Sequence, residues 1–235
     1  MAKTRAAKRG TAAKTKAAGT WQDAVPSRSM QREMKREALL RAAVSAFNRR
    51  GFAQTSLEEI AQSLGVTKAA LYYYFPTKSA LVAACFERAM RVANDSLTTA
   101  KRDGKNGREK LILMLRRYLK TMIGESNEWL MLTEEHALTP SDWARLVEQR
   151  DVFERELRNL VQEGIRDGSI VPCDPKLTIF ILLGAVHWVP KWFTLKGAWT
   201  DAQVSAAIGE LFDRMLSTSP APRLTEHVAA LPAAG

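Results

Sequence analysis

Between residues 29 and 217 the apolar side chains recur at the helical period, and no stretch of any length alternates as a strand would. Leu40, Ala43, Val44 and Phe47 form an i, i+3, i+4, i+7 stripe, with Gly51 expected as its stop. Ser56-Leu-Glu-Glu59 has the spacing of a capping box and opens a two-turn helix with Leu57, Ile60, Ala61 and Leu64 on one face. Thr67 begins a third short helix through Phe75, whose inner side carries Leu71 and Phe75. Pro76 breaks it, and Thr77 caps a long helix to about Ala100. After the loop Asp103–Gly107, a fifth helix presents Leu111, Leu115, Tyr118, Leu119 and Met122, and a sixth is expected over about Asn127–Leu138. Thr139-Pro140 and Asp174-Pro175 each place a cap before a proline in the first turn, opening helices to about Asp167 and through Leu177–Val189. Thr200 with Gln203 is a second capping box, ahead of the stripe Val204, Ile208, Leu211 and Met215. The fold class is all-α.

Charge is distributed unevenly along this helical chain. The net +10 comes from residues 1–37 (ten basic, three acidic) and 38–79 (five basic, two acidic), while residues 80–235 carry twenty of each sign. The front third is suited to a polyanion, and the remainder has another task. Residues 1–28 are rich in Ala, Lys and Thr, with Trp21 and Val25 their only large apolar groups, and read as a disordered basic arm. A mitochondrial transit peptide has a similar composition and is the less favoured reading. The Pro/Ala-rich end from Ser219 reads as a frayed tail. Met1–Ala18 lacks the apolar core of a secretory signal, and the lone Cys85 and Cys173 fit a reducing cytoplasm. Leu177–Val189 is shorter than the roughly twenty apolar residues a bilayer needs, so a buried helix is expected and no membrane partner.

Two amphipathic helices separated only by Gly65-Val66 make a helix-turn-helix, whose second helix enters the major groove of double-stranded DNA. That helix must present small or hydrogen-bonding groups outward. Here Lys68, Ala69, Tyr72 and Tyr73 fall on the outer side; Lys68 can donate to guanine O6/N7 and Ala69 can touch a thymine methyl. The alternative is a helical corner whose tyrosines merely pack. The +3 charge of residues 38–79 favours DNA.

The run Thr55–Leu81 (TSLEEIAQSLGVTKAALYYYFPTKSAL) resembles the DNA-binding signature of the TetR family, the tetracycline-repressor type of bacterial regulator. The resemblance is carried by Thr55-Ser56, Ile60-Ala61, Leu64-Gly65-Val66, Thr67, Leu71-Tyr72, Tyr74-Phe75, Lys78 and Leu81, with a first helix ending in Gly51-Phe52 also fitting, and covers roughly residues 33–82, a fifth of the chain. It implies an N-terminal reading head, and a divergent C-terminal helical domain that dimerises and binds a small effector. Residue by residue, it implies that Lys68, Ala69 and Tyr72 approach bases, and that Ser56, Thr67, Tyr73, Tyr74 and Lys78 hold phosphates. Ser56, Thr67 and Thr77 at helix N-termini suit phosphate chemically. Glu58 stands where some members place a base-reading Arg; it either accepts from cytosine N4 or faces water, and it is not assigned to the site. The expected organisation is a basic arm (1–28), a reading head (29–76), an effector and dimerisation domain (77–217) and a tail (218–235). Six basic and no acidic residues over Lys3–Lys16 read either as an arm tracking phosphates or the minor groove, or as a solubilising extension. An arm on DNA would make its removal weaken binding to all sequences and flatten the salt dependence.

Five of the six tryptophans lie in the charge-balanced remainder, enough for some to line a cavity between helices. Tyr118, Trp129 and Phe153, from three helices, are the candidates. Gly184–Phe193 (GAVHWVPKWF) is similar to a G-x-x-N-W-x-x-x-W-[FY] stretch of TetR-family members that respond to acyl-CoA thioesters, with His187 in place of Asn. That resemblance implies ligand contact by Trp188, Lys191 and Trp192, with Lys191 meeting a phosphate; a dimer seam is the favoured use of the same helix. Pairing the last two helices across a twofold axis would set two recognition helices about 34 Å apart, on a near-palindromic operator. Ligand binding would shift the long helix beginning at Lys78 and so bias that spacing. Release of a repressor is the expected sense.

An enzyme is disfavoured because His136, His187 and His227 are scattered without metal-ligand spacing or a nucleophile motif, so no cofactor and no metal are expected. A sequence-neutral nucleoid protein driven by the basic arm is the second rival. An operator reader should discriminate by roughly 10³-fold or more, and a nucleoid protein should not.

Overall fold

The computed structural model of the chain describes residues 27–124 and 137–219. The expected arm for all but its last two residues, the sixth helix at 127–138 likewise, and nearly all of the tail lie outside those residues. The described part is built from eight helices: α1 Arg28–Gln54, α2 Leu57–Ser63, α3 Lys68–Tyr74, α4 Lys78–Asp103, α5 Gly107–Ile123, α6 Pro140–Arg166, α7 Pro175–Trp192 and α8 Asp201–Leu216. Among these residues there is no strand, only an isolated antiparallel bridge between Ile170 and Ser217. The all-α expectation holds. The chain divides into two compact units, residues 1–36 and 37–235. The described end of the first is the exposed opening of α1, where the Ser27 hydroxyl accepts from the Met30 amide. The second contains the rest of α1 and every helix from α2 to α8.

The helices start where the local chemistry says they should. Ser56, Thr67, Thr77, Thr139, Asp174 and Thr200 each cap a helix by accepting the amide three residues on, and both capping boxes are formed. Each such side chain satisfies an amide that would otherwise lack an intrahelical partner. Gly51 acts as the stop expected of it: at φ 77° and ψ 171° it is non-helical and kinks the chain, so the first helical run ends there and a separate short turn continues to Gln54. Only glycine enters that region without strain. The carbonyls at the kink are not left bare: the buried Thr55 hydroxyl donates to Gly51 O at 2.8 Å and lies 3.3 Å from Ala46 O.

α5 is the central element, packed against α4, α6, α7 and α8. It buries Leu111, Ile112, Met114, Leu115, Tyr118, Leu119, Met122 and Ile123, so it meets neighbours on most sides. Its start touches α6 backbone to backbone. A Cβ built on Gly107 would fall 2.1 Å from Gly164 N, and the Gly107 amide instead donates to Asp167 Oδ2 at 2.8 Å.

The last two helices each keep an apolar side uncovered in the single chain. α7 buries Thr178, Ile179, Leu182, Val186 and Val189 but exposes Leu177, Phe180, Ile181, Trp188 and Trp192. The stripe expected on α8 divides in the same manner, with Val204 inward and Leu211 and Met215 about half exposed. In both helices the apolar positions exceed one neighbour's width, so each leaves large apolar side chains facing outward.

Candidate functional site

α2 and α3 are joined at Leu64–Thr67, where Gly65 has φ 64°. Behind α3, Leu71 (0% exposed) and Phe75 (3%) enter the core with Leu57, Ile60 and Ala61. Their burial fixes which side of α3 faces out. Thr67, Lys68, Ala69, Tyr72 and Tyr73 are exposed, Tyr73 to 68%. Two large aromatic groups on a seven-residue helix are thus left in water, although burying each would stabilise the fold. The structure brings together Lys68, Ala69, Tyr72 and Tyr73, the four outer-face residues expected from the sequence.

The proposed phosphate contacts are less uniform. The Ser56 and Thr67 hydroxyls accept from the Glu59 and Ala70 amides at 3.1 and 3.2 Å, leaving each O–H as a donor. Tyr74 is half-buried against the core, with its ring 5.2 Å from that of Tyr73 and edge-on to it, so its ring serves packing. Lys78 donates to Ala53 O at 3.4 Å and lies 4.2 Å from the centre of the Phe52 ring. It joins the start of α4 to the last turn of α1, at the place where the sequence points to the long helix being tethered to the reading head.

Glu58 pairs with Lys68 across the turn. The shared hydrogen bond holds the Glu58 carboxyl below its usual range and raises Lys68. Lys68 Nζ also stands 5.5 Å from the centre of the Tyr72 ring. Neighbouring Glu59 completes the capping box and takes Arg50 at 2.7 Å; these hydrogen bonds, led by the one from the Ser56 amide, lower its pKa.

The residues expected to bind an effector do not form one group. Tyr118 of α5 and Phe153 of α6 are buried, with ring centres 6.1 Å apart. The Tyr118 hydroxyl meets His187 Nε2 of α7 at 3.0 Å. Burial drives the Tyr118 pKa well above that of an ordinary phenol. Desolvation first and the Arg150 charge second push His187 down to about 4. At neutral pH the imidazole is therefore uncharged, and its tautomer decides whether the Tyr118 hydroxyl donates to Nε2 or accepts from it. The remaining surface of His187 is open to water, which opposes part of that desolvation. Trp188, Lys191 and Trp192 lie on the outer side of α7, with Trp192 edge-on to Trp199 at 6.1 Å. Trp188 shares its side with Leu177 and Ile181, eleven and seven residues earlier, because both spacings come within about 20° of whole helical turns. Trp129 lies outside the described residues.

The pairing of His187 with Tyr118 and the nearby charge of Arg150 are features that sequence reasoning missed, since Tyr118 and His187, 69 residues apart, leave no spacing signal. An open groove of about 550 Å³ lies elsewhere, between α5 and α8, and includes Arg108, Arg116, Gly209 and Asp213. None of the expected effector residues lines it. Among the described residues no group of His, Cys, Asp and Glu could hold a metal ion, and no helix is long and apolar enough to cross a membrane.

A recognition helix exposed on a small three-helix head, continuous in its core with the helices that follow, defines a helix-turn-helix transcriptional regulator. Residues 39–85 match the family described as bacterial regulatory proteins, tetR family, and residues 104–216 match the tetracyclin repressor-like C-terminal domain. The chain belongs to the TetR family. It is 28% identical over 160 residues to the HTH-type transcriptional regulator RutR of Escherichia coli K12, covering 66% of this chain and 73% of that one. The fatty acid metabolism regulator protein of Bacillus subtilis strain 168 is 22% identical over 167 residues, 69% of this chain and 85% of that one. The crystal structure of AibR in complex with isovaleryl coenzyme A and operator DNA aligns with a TM-score of 0.65 at 28% identity, covering 75% of this chain and 97% of that one.

Proposed function

We propose that this chain is a cytoplasmic repressor that binds a near-palindromic operator as a homodimer and is released by a small acyl-CoA thioester. It acts as a regulator and not as an enzyme. The observation that carries the DNA assignment is the outer face of α3, where Lys68, Ala69, Tyr72 and Tyr73 stand in solvent with Leu71 and Phe75 fixed behind them. Lys68, Ala69 and Tyr72 meet base edges; Ser56, Thr67, Tyr73, Tyr74 and Lys78 serve the phosphates. The outward apolar side of α7 and α8 supports a twofold seam, because a chain that exposes Leu177, Phe180, Ile181, Leu211 and Met215 together gains by covering them. Trp188 and Trp192 then serve that seam first, with Lys191 beside them.

For the effector, AibR was crystallised with isovaleryl coenzyme A, which supports a short acyl thioester here. Tyr118, Phe153 and, by position in sequence, Trp129 are the proposed apolar contacts, while the Tyr118–His187 pair offers a polar one.

The test is selection from a randomised duplex library, followed by titration of the bound complex with isovaleryl coenzyme A and with free coenzyme A. The expected result is one enriched inverted repeat, bound roughly 10³-fold or more tighter than scrambled duplex and released by the thioester alone. Equal affinity for every duplex would replace the operator reading with that of a nucleoid protein. Persistence of the complex at saturating thioester would remove this effector class.

A further inference from the structure

We propose that Glu58 is a positioning and specificity-determining residue of the DNA reader, holding the Lys68 ammonium beside the Tyr72 ring so that Lys68 meets a base edge as a directed donor. The inference rests on the assignment of α3 to the major groove. A carboxylate on α2, an ammonium on α3 and an aromatic face one turn further along α3 converge on one side of the head.

Folding does not explain the arrangement. The Glu58 and Lys68 side chains are 44% and 53% exposed, and an ion pair so placed contributes little to stability. The start of α2 does not require Glu58 either, because Glu59 closes the capping box and carries the ion pair to Arg50. What the pair does change is how Lys68 presents itself. A lysine alone is a point charge on a flexible stem, able to settle on any phosphate within reach. Its ammonium has three N–H groups. With one directed at Glu58, the others project from a fixed point toward a base edge, where an acceptor such as guanine O6 or N7 rewards direction as well as charge. The Glu58 charge also opposes phosphate oxygens near the reading face, and so weakens binding wherever the base contact is absent. Glu58 thereby lowers affinity for arbitrary DNA and raises discrimination.

Four variants test this: Glu58→Gln, Glu58→Asp, Lys68→Met, and Glu58→Gln combined with Lys68→Met. Each full-length protein is run through the same randomised duplex selection, with affinities measured for the enriched and scrambled duplexes and thermal unfolding as a check on the fold. Glu58→Gln should bind scrambled duplex several-fold tighter. Its enriched-to-scrambled ratio should fall about tenfold, within the range of one lost base contact. The lost base preference should fall at the base pair whose preference Lys68→Met also loses, and the double variant should lose no more. Glu58→Asp keeps the charge but is too short to hold the ammonium, so it should lose that preference without tighter scrambled binding. The proposal is overturned if Glu58→Gln keeps the ratio and the base profile, or if it alters a base pair that Lys68→Met leaves intact. Failure of the wild-type chain to enrich any motif removes the groove assignment itself, an outcome distinct from a motif that survives Glu58→Gln.

Discussion

Gly107→Ala should damage the bundle far more than adding one methyl group suggests. The new Cβ would stand 2.1 Å from Gly164 N, 2.5 Å from Gly164 Cα and 2.6 Å from Leu160 O. These are backbone atoms of α6, so no side chain can rotate away. Ordinary contact begins near 3.4 Å, and α5 and α6 must part by 1.3 Å (3.4 − 2.1) at their closest point. Overpacking of this kind costs about 1–3 kcal/mol. Separation also stretches the Gly107 amide hydrogen bond to Asp167, and a bond to a charged acceptor contributes about 1.5–3 kcal/mol. Against these stands the better helix propensity of alanine, at most about 1 kcal/mol. The net loss is about 2–4 kcal/mol, or roughly 5–15 °C in Tm for a chain of this size. Differential scanning calorimetry on wild type and variant measures it directly. An unchanged Tm would refute the backbone-to-backbone approach of α5 and α6.

Other perturbations probe the remaining links. Tyr72→Ala should abolish the mobility shift of the selected operator while leaving the dimer intact by light scattering; undiminished affinity would remove Tyr72 from the groove. Glu37→Ala leaves Arg88, 7% exposed and 2.5 Å from the lost carboxylate, with a charge whose main counter-ion is gone. About 3 kcal/mol should be lost in urea unfolding, the low end for breaking a buried pair because Glu37 itself is one quarter exposed. His187 has a folded pKa of about 4 against 6.5, so above pH 6.5 it is neutral in both states and neither helps nor harms. As pH falls from 6.5 toward 4 the unfolded chain gains a proton that the folded chain refuses, and stability falls. His187→Asn should flatten that part of the stability–pH profile, by less than the full shift implies because part of the residue meets water. Ile181→Glu should convert the dimer to monomer in sedimentation without lowering the helical signal of the monomer, and an intact dimer would place the seam elsewhere.

The sequence disclosed helix beginnings well because each is decided within four residues: Ser56 with Glu59, Thr139 before Pro140, and Thr200 with Gln203 each contain their own instruction. The outer face of α3 was legible for the same reason, since Leu71 and Phe75 at one helical interval fix the opposite side by elimination. Orientation failed where periodicity carries no contrast. Along α7 apolar residues occupy nearly every direction, so nothing local separates Val186 at 0% from Trp188 at 64% exposure. Gly51 was legible as a stop because only glycine enters its φ of 77° without strain, whereas the further turn to Gln54 carries no local signal. The Tyr118–His187 and Glu58–Lys68 contacts join residues whose meeting is set by how helices cross, and one chain read alone contains no trace of that.

The attachment of Lys78 to Ala53 O and Phe52 makes α4 a rigid arm gripping the reader at its near end. With 26 residues it extends about 39 Å, so a tilt of only about 5° about its distant end sweeps the gripped end through roughly 3.4 Å. That is one rung of the double helix. A disturbance too small to disorder the bundle is therefore enough to put both readers out of step with the same stretch of duplex.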